Sequence, residues 1–401
     1  MDHDPHLMRT YFAPPFDAAR GEGSWLYDTE GNAYLDFTSG IAVNAVGHAH
    51  PRWSRAVADQ AGRLAHSSNL FGVPEQKRLA ERLVARAGPG RAFFCNSGAE
   101  ANEALIKLAR LHGQRLSAGE EGQRYEIVVA ENAFHGRTFG GMAATPKEAV
   151  RAGYHPMLPG FRTAPLNDIN AFEKAVNANT AAVMIETVQG EGGVYPADSR
   201  FLRDLRALCS QNEILMILDE VQCGVGRTGQ FFAYETAGVQ PDAIGMAKGL
   251  GGGFPMGAIW ATERHASLFE PGAHGTTFGG SPLGCAAAHA VLDVIEEERL
   301  LERVRRQAAP WHERLRALVD RHPKLLAELR GRGYMVAFGL RGESGPDVAR
   351  AARGEGLLCA PAGKSALRLL PPLNAAEGEL DAAVERLDAA LARVPEPGGD
   401  A

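Results

Sequence analysis

Three stretches of the 401-residue chain place polar groups where apolar runs end. Lys248 is the single cation in "GMAKGLGGGFPMGA" and is followed by Gly249, Gly251, Gly252 and Gly253. A lysine buried without a partner is costly or gives up its proton, and an amine so tuned can form a Schiff base with a carbonyl. The glycines leave room for a large planar ligand against the backbone. Asp219 follows five apolar residues, "ILMIL", and needs a cation or strong donor to stay ionised there. A solvated strand end suits its neighbour Glu220 better. In Ser97-Gly98-Ala99-Glu100, Ser97 is placed to cap a helix and Glu100 to complete a capping box. The small residues between them open backbone N–H groups to an anion at a helix N-terminus. Alone, this cluster reads first as an ordinary capped helix.

The surrounding pattern supplies the frame. Between about residues 90 and 262, apolar runs ("RAFFCN", "YEIVVAEN", "TAAVMIETV", "EILMILDEV", "DAIGMA") alternate with helical stretches. One helix starts at Ser97, with Leu105, Leu108, Ala109 and His112 on one stripe. Others are "NDINAFEKAVNA" and "DSRFLRDLRALCSQN". That alternation predicts an α/β fold around a mostly parallel sheet covered on both faces, with ligands beyond the strand carboxyl ends. The flanks predict a smaller α+β part. "GSWLYDTEGNAYLDFTSG" reads as a hairpin turning at Glu30-Gly31-Asn32. "LGCAAAHAVLDVIEEERLLERVRRQ" and "WHERLRALVDRH" read as helices separated at Pro310, and "GYMVAFGL", "GLLCA" and "ALRLLPP" as strands. The tail "VPEPGGDA" is expected to fray. The division expected is 1–50 and 291–401 in the small part, 51–290 in the large one.

Composition narrows the function classes. A net charge of −6 without a basic block argues against nucleic-acid and membrane-surface roles. The start "MDHDPHLMRTYF" lacks the pattern of a secretory signal, and no apolar run approaches the ~20 residues of a membrane span. Five scattered cysteines without a CxxC pair fit reduced thiols in a cytoplasmic protein. "GHAH" has two histidines and no third ligand nearby, so no metal site is expected. "GVGRTG" matches G-x-G-x-x-G, but "DEVQC" separates it from its strand and "QFFAYETAG" after it is a poor helix, unlike a dinucleotide fingerprint. An anion cradle, a buried carboxylate and a strand-end lysine are together what pyridoxal 5′-phosphate requires, the carboxylate keeping the pyridine nitrogen protonated.

With those residues in view, the chain resembles the class III pyridoxal-phosphate aminotransferases, most closely their acetylornithine branch. "NSGAEANEALIKLAR", "AFHGRT", "QGEGG", "LDEVQCGVGRTG", "AKGLGGGFPMGA", "HGTTFGG" and "RLLPPL" occur in family order across nearly the whole chain. The resemblance implies a fold type I transferase and a homodimer with shared sites. It implies Lys248 and Asp219 as the catalytic pair. Ser97, Gly98, Ala99, Phe134, Val221 and Gln222 would hold the cofactor, and Thr277 the phosphate of the neighbouring subunit. For substrate it implies Arg137 on one carboxylate, Thr276 beside it, and Arg368 on the second carboxylate of glutamate. Glu191 would pair with Arg368 when that carboxylate is absent. Ile41 stands where ornithine δ-aminotransferases have a tyrosine, which favours N2-acetylornithine and 2-oxoglutarate as substrates, in arginine biosynthesis. Alternatives are succinylornithine, N-succinyl-diaminopimelate, ornithine or 4-aminobutyrate as donor, an aminomutase, and a non-catalytic homologue. Thr187 departs from the family, which usually has proline there.

Overall fold

The computed structural model describes residues 4–342, 344–363 and 365–395; most of the tail expected to fray lies outside them. Seven strands form the central sheet: β1 (Gly90–Cys95), β2 (Glu126–Ala130), β3 (Phe161–Ala164), β4 (Thr180–Glu186), β5 (Leu215–Asp219), β6 (Ala243–Met246) and β7 (Gly257–Thr262). Their spatial order is β1-β7-β6-β5-β4-β2-β3. β7 runs antiparallel to both neighbours, so β1 points the same way as the remaining five and the sheet is mostly parallel.

The near-continuous apolar runs have a physical cause. Alternate residues face opposite sides of a sheet, and here both sides are buried. Ile127, Val129, Met184 and Ile217 pack with Leu105, Leu108 and Ala109 of the helix Gly98–Leu116. Val128, Val183, Ile185, Met216 and Leu218 face the other way, packing with Leu202 and Leu205 of Ser199–Gln211 and Val291 of Pro282–Glu297. Every residue of β4, β5 and β6 is buried.

A second layer joins the two chain ends. Trp25–Asp28 and Ala33–Asp36 form the expected hairpin, with Gly31 at φ 89 in its turn. Leu357–Leu358, in "GLLCA", pairs parallel with Ala33–Asp36. Met335–Leu340 and Ala366–Leu369, also expected, lie together in an antiparallel sheet with Leu326–Arg332 and Ala360–Pro361.

Pro310 does not separate the two long helices. They are Pro282–Glu297 and Leu300–Arg321, divided at Arg299 (φ 50), and Pro310 lies inside the second. An interior proline costs ~3 kcal/mol, but burying one large apolar side chain returns ~1.5–3 kcal/mol. The stripe Leu300, Val304, Ala308, Trp311, Leu315, Leu318 crosses Pro310 and is entirely buried. The charged run Glu296-Glu297-Glu298-Arg299 carries no apolar residue to continue a stripe, so the break falls there.

Candidate active site

The carboxyl ends of β1, β4, β5 and β6 surround a cavity of about 400 Å³. Ser97, Gly98, Ala99, Phe134, Arg137, Asp219, Val221, Gln222 and Lys248 all line it. Ile41, Glu191, Thr276, Thr277 and Arg368 are not part of that lining. A larger open groove of about 1160 Å³ lies among Pro51–Arg63, Pro74–Ala87 and Pro282–Glu297, shares no lining residue with this cavity and is walled largely by charged side chains.

Asp219 ends β5 opposite Gly245 of β6 and Glu186 of β4. Its Oδ2 accepts from Asn102 Nδ2 at 2.7 Å and His135 Nδ1 at 2.8 Å, and its Oδ1 from the Val221 N–H at 3.0 Å. Three donors, the histidine among them, therefore hold this buried carboxylate ready for a cationic group. Burial alone depresses His135, but the hydrogen bond and charge of Asp219 outweigh it, and the imidazole sits above its ordinary pKa. Burial pushes Glu186 up to about 7, while its oxygens accept from Gly190 N and Phe134 N.

Lys248 opens a short 3-10 turn two residues beyond β6. Its backbone is left-handed at φ 45, a strained setting for a lysine. Its ammonium makes no hydrogen bond or ion pair among the described residues. Burial lowers its pKa; Glu191 opposes that shift and Arg368 reinforces it. A reactive amine fits this setting better than a structural cation.

At the opposite wall Ser97 caps the helix Gly98–Leu116, its Oγ accepting from Glu100 N at 3.2 Å. Glu100 reaches one residue further back than a capping box requires, to the N–H of Asn96 at 2.9 Å. A Cβ on Gly98 would lie 2.6 Å from Val221 Cγ1, so glycine is what lets the cradle and Val221 approach. Thr276 Oγ1 accepts from Asn96 Nδ2 at 3.2 Å, and Thr277 is exposed. Arg137 is exposed, its guanidinium carbon 6.0 Å from the Phe134 ring centroid.

Beside the cavity, Arg368 Nη1 donates to Glu191 Oε1 at 2.6 Å and to Gln222 Oε1 at 2.7 Å. Gln222 Nε2 closes the triangle on Glu191 at 3.3 Å. Arg368 is 1% exposed, and its Nε has no partner among the described residues. Burial raises the Glu191 carboxyl, and the adjacent Arg368 more than reverses this, so it sits low.

Ile41 occupies a run of four positive-φ residues, Ser39 to Ala42. Asp36 holds the run through Thr38 N at 2.8 Å and Ser39 N at 3.1 Å; Ser39 Oγ donates to Leu370 O at 2.6 Å, two residues past Arg368. His48 of "GHAH" pairs with Asp36 at 2.9 Å, and His50 with Glu298 at 3.0 Å. Glu220 is not a solvated strand end: it is fully buried and accepts from Thr187 Oγ1 at 2.6 Å and from Ala233 N at 2.8 Å. The "GVGRTG" loop leads only to the 3-10 turn Ala233–Ala237, and its Arg227 is buried against main-chain carbonyls.

These features meet the needs of a phosphorylated, planar, carbonyl-bearing ligand, and the comparisons with known proteins agree. The family described as aminotransferase class-III matches residues 8–391. The chain belongs to the class-III aminotransferases. Among its relatives in this family, an acetylornithine aminotransferase from Caldanaerobacter subterraneus subsp. tengcongensis is 46% identical, covering 97% of this chain and 98% of its own. Another from Rhodobacter capsulatus is also 46% identical, covering 96% and 97%. Among solved structures, an ornithine aminotransferase from Toxoplasma gondii has a TM-score of 0.93 at 30% identity, covering 96% of this chain and 92% of its own. An N-acetylornithine aminotransferase from Stenotrophomonas maltophilia has 0.83 at 35%, covering 95% and 97%. An amine transaminase from an uncultivated Pseudomonas species, solved with pyridoxal phosphate bound, has 0.91 at 28%, covering 98% and 99%. The class-III fold is thus that of the pyridoxal-phosphate-dependent aminotransferases.

Sequence reasoning missed Asn102 and His135, which bind Asp219, and Lys147, which binds Glu191. Asn102 did leave a signal, a polar residue one turn before Leu105 on the helix's apolar stripe; His135 lay within "AFHGRT" with no role given to it.

Proposed function

We propose that this class-III aminotransferase moves the ω-amino group of N2-acetyl-L-ornithine to 2-oxoglutarate, giving N-acetyl-L-glutamate 5-semialdehyde and L-glutamate. The Arg368–Glu191 pair carries the reading. One pocket must take a donor with one carboxylate and an acceptor with two. An arginine buried this deeply needs a counter-charge in the first case and must be free in the second. The relatives' names and the isoleucine at position 41 support the choice of an acylated ornithine.

The cofactor is pyridoxal 5′-phosphate, which supplies an electron sink for the carbon that loses its amino group. Asp219, braced by Asn102 and His135, would hold its pyridine nitrogen protonated. Val221 and Phe134 would pack its two ring faces, and Gln222 would face its phenolic oxygen. The N–H groups at Gly98 and Ala99, beside Ser97, would hold its phosphate. Lys248 Nζ, neutral more readily because it is buried, would take the proton from the substrate carbon that bears the departing amine and carry it for return later in the transfer. Arg137 grips the carboxylate common to both substrates, with Thr276 beside it, and Arg368 grips the second.

The same reading makes the protein a cytoplasmic homodimer in which Thr277 of each subunit reaches the phosphate bound by the other. Leu70, Phe71 and Phe278 are more than half exposed on the isolated chain and would be covered in that dimer. The large part would be residues 51–290, and 1–50 with 291–401 the small one. No helix among the described residues is long and apolar enough to cross a membrane. Initial rates with 2-oxoglutarate as acceptor test the donor: acetylornithine should exceed ornithine and 4-aminobutyrate in kcat/KM by at least about tenfold. A donor ranked above acetylornithine, or turnover without any keto acid, overturns the assignment.

A further inference from the structure

We infer that Lys147 is the alternative partner of Glu191: when a dicarboxylate takes Arg368, the Glu191 carboxylate turns from Arg368 to Lys147. The inference rests on the functional reading above. Lys147 precedes the short helix Glu148–Arg151, and its Nζ donates to the main-chain oxygen of Glu191 at 2.8 Å. That is the only hydrogen bond of its ammonium among the described residues, leaving two N–H groups for another acceptor. The ammonium is anchored to the backbone of Glu191 itself and interacts electrostatically with that residue's carboxylate. Rotation about the Glu191 side-chain bonds then moves the carboxylate from one cation to the other without backbone movement.

The charges around the site favour this exchange. Lys147 interacts electrostatically with Glu186, Glu191, Arg368 and Arg137. Glu186 is committed, its two oxygens accepting from Gly190 N and Phe134 N at 3.0 Å each. Glu191, 30% exposed, is therefore the carboxylate free to move. With a monocarboxylate donor bound, substrate covers Arg137, Glu191 covers Arg368, and Lys147 keeps its carbonyl. A dicarboxylate covers both arginines, and a displaced Glu191 left unpaired in this largely buried site would weaken binding. Turning to Lys147 leaves each of the three cations facing one carboxylate.

The test uses the cofactor-loaded protein and two unreactive probes, glutarate and pentanoate, titrated by calorimetry. Lys147→Met should weaken glutarate by about tenfold and pentanoate by less than about twofold, the scale of one part-buried charge pair. Lys147→Arg should restore glutarate affinity. In a Glu191→Ala background, Lys147→Met should cost nothing further, because the carboxylate it receives is gone. Equal weakening of both probes, additive loss in that background, or no loss at all overturns the inference, the last meaning that Glu191 turns to water. Wild-type protein that neither binds glutarate nor reacts with 2-oxoglutarate overturns the functional reading, and this inference with it.

Discussion

Exchanging the Asp219 carboxylate for an amide keeps its size and removes the charge that faces the site. With the amide oxygen in the Oδ2 position, Asn102 Nδ2 and His135 would still orient the side chain, while the Val221 N–H would lose its acceptor. Asp219→Asn should therefore slow the amine half-reaction by about 10²–10³-fold in stopped-flow absorbance, the range found when one preorganised electrostatic partner is lost. Cofactor affinity, read by equilibrium dialysis, should fall far less; equal damage to both would remove the electron-sink role. Gly98 is constrained in a different way. A methyl group there would press on Val221, whose β-branched side chain has little rotamer freedom to retreat. Gly98→Ala should weaken cofactor binding by about 1–3 kcal/mol, the usual cost of overpacking. A variant with normal cofactor affinity would show that the cradle is looser than its geometry states.

The strands carry these residues because their ends are aligned, and the end of β5 carries a second acid. Burial lifts Glu220 to about 7, against donors from Thr187, Ala233, Cys223 and Tyr234. A folded pKa above the ordinary 4.5 means the folded protein holds this proton more tightly than the unfolded chain. Its contribution is full below pH 4.5 and is lost as pH rises through about 7. Melting curves of wild type and Glu220→Gln should therefore converge between about pH 5 and 8, with wild type losing its relative advantage. Parallel curves would contradict it. Thr187 is where this chain departs from the family pattern, and it donates the shortest of these bonds. β4, β5 and β6 were legible because a strand buried on both faces must be apolar throughout. The edge strand β3 and the antiparallel β7 were not named. The first is half polar, and the second is split from its glycine-rich approach only by geometry that no local pattern encodes. Glu220 was misjudged because the donors that satisfy it in the interior come mainly from a loop and a 3-10 turn distant in sequence. Pairing of Arg368 with Glu191 could be anticipated only from family resemblance, since 177 residues separate them.

At the scale of the molecule, the central sheet brings Lys248, Asp219 and the Gly98 cradle to one cavity, while Arg368 arrives on a strand of the second layer. Apolar Leu70, Phe71 and Phe278 remain uncovered on the single chain, although a stable surface of that kind is usually an interface. Phe71→Asp should yield a monomer in sedimentation velocity, with activity falling in step because Thr277 then has no second site to serve. An active monomer would refute the shared site.

The central claim is that Lys248 binds the cofactor and drives amino transfer, and the visible absorption spectrum tests it most directly. Wild-type protein supplied with pyridoxal phosphate should show the band of lysine-bound cofactor, lose it when acetylornithine is added without a keto acid, and recover it with 2-oxoglutarate. Lys248→Ala should show neither the lysine-bound band nor turnover. A wild-type spectrum without that band, or a Lys248→Ala variant with near-normal turnover, would contradict the account.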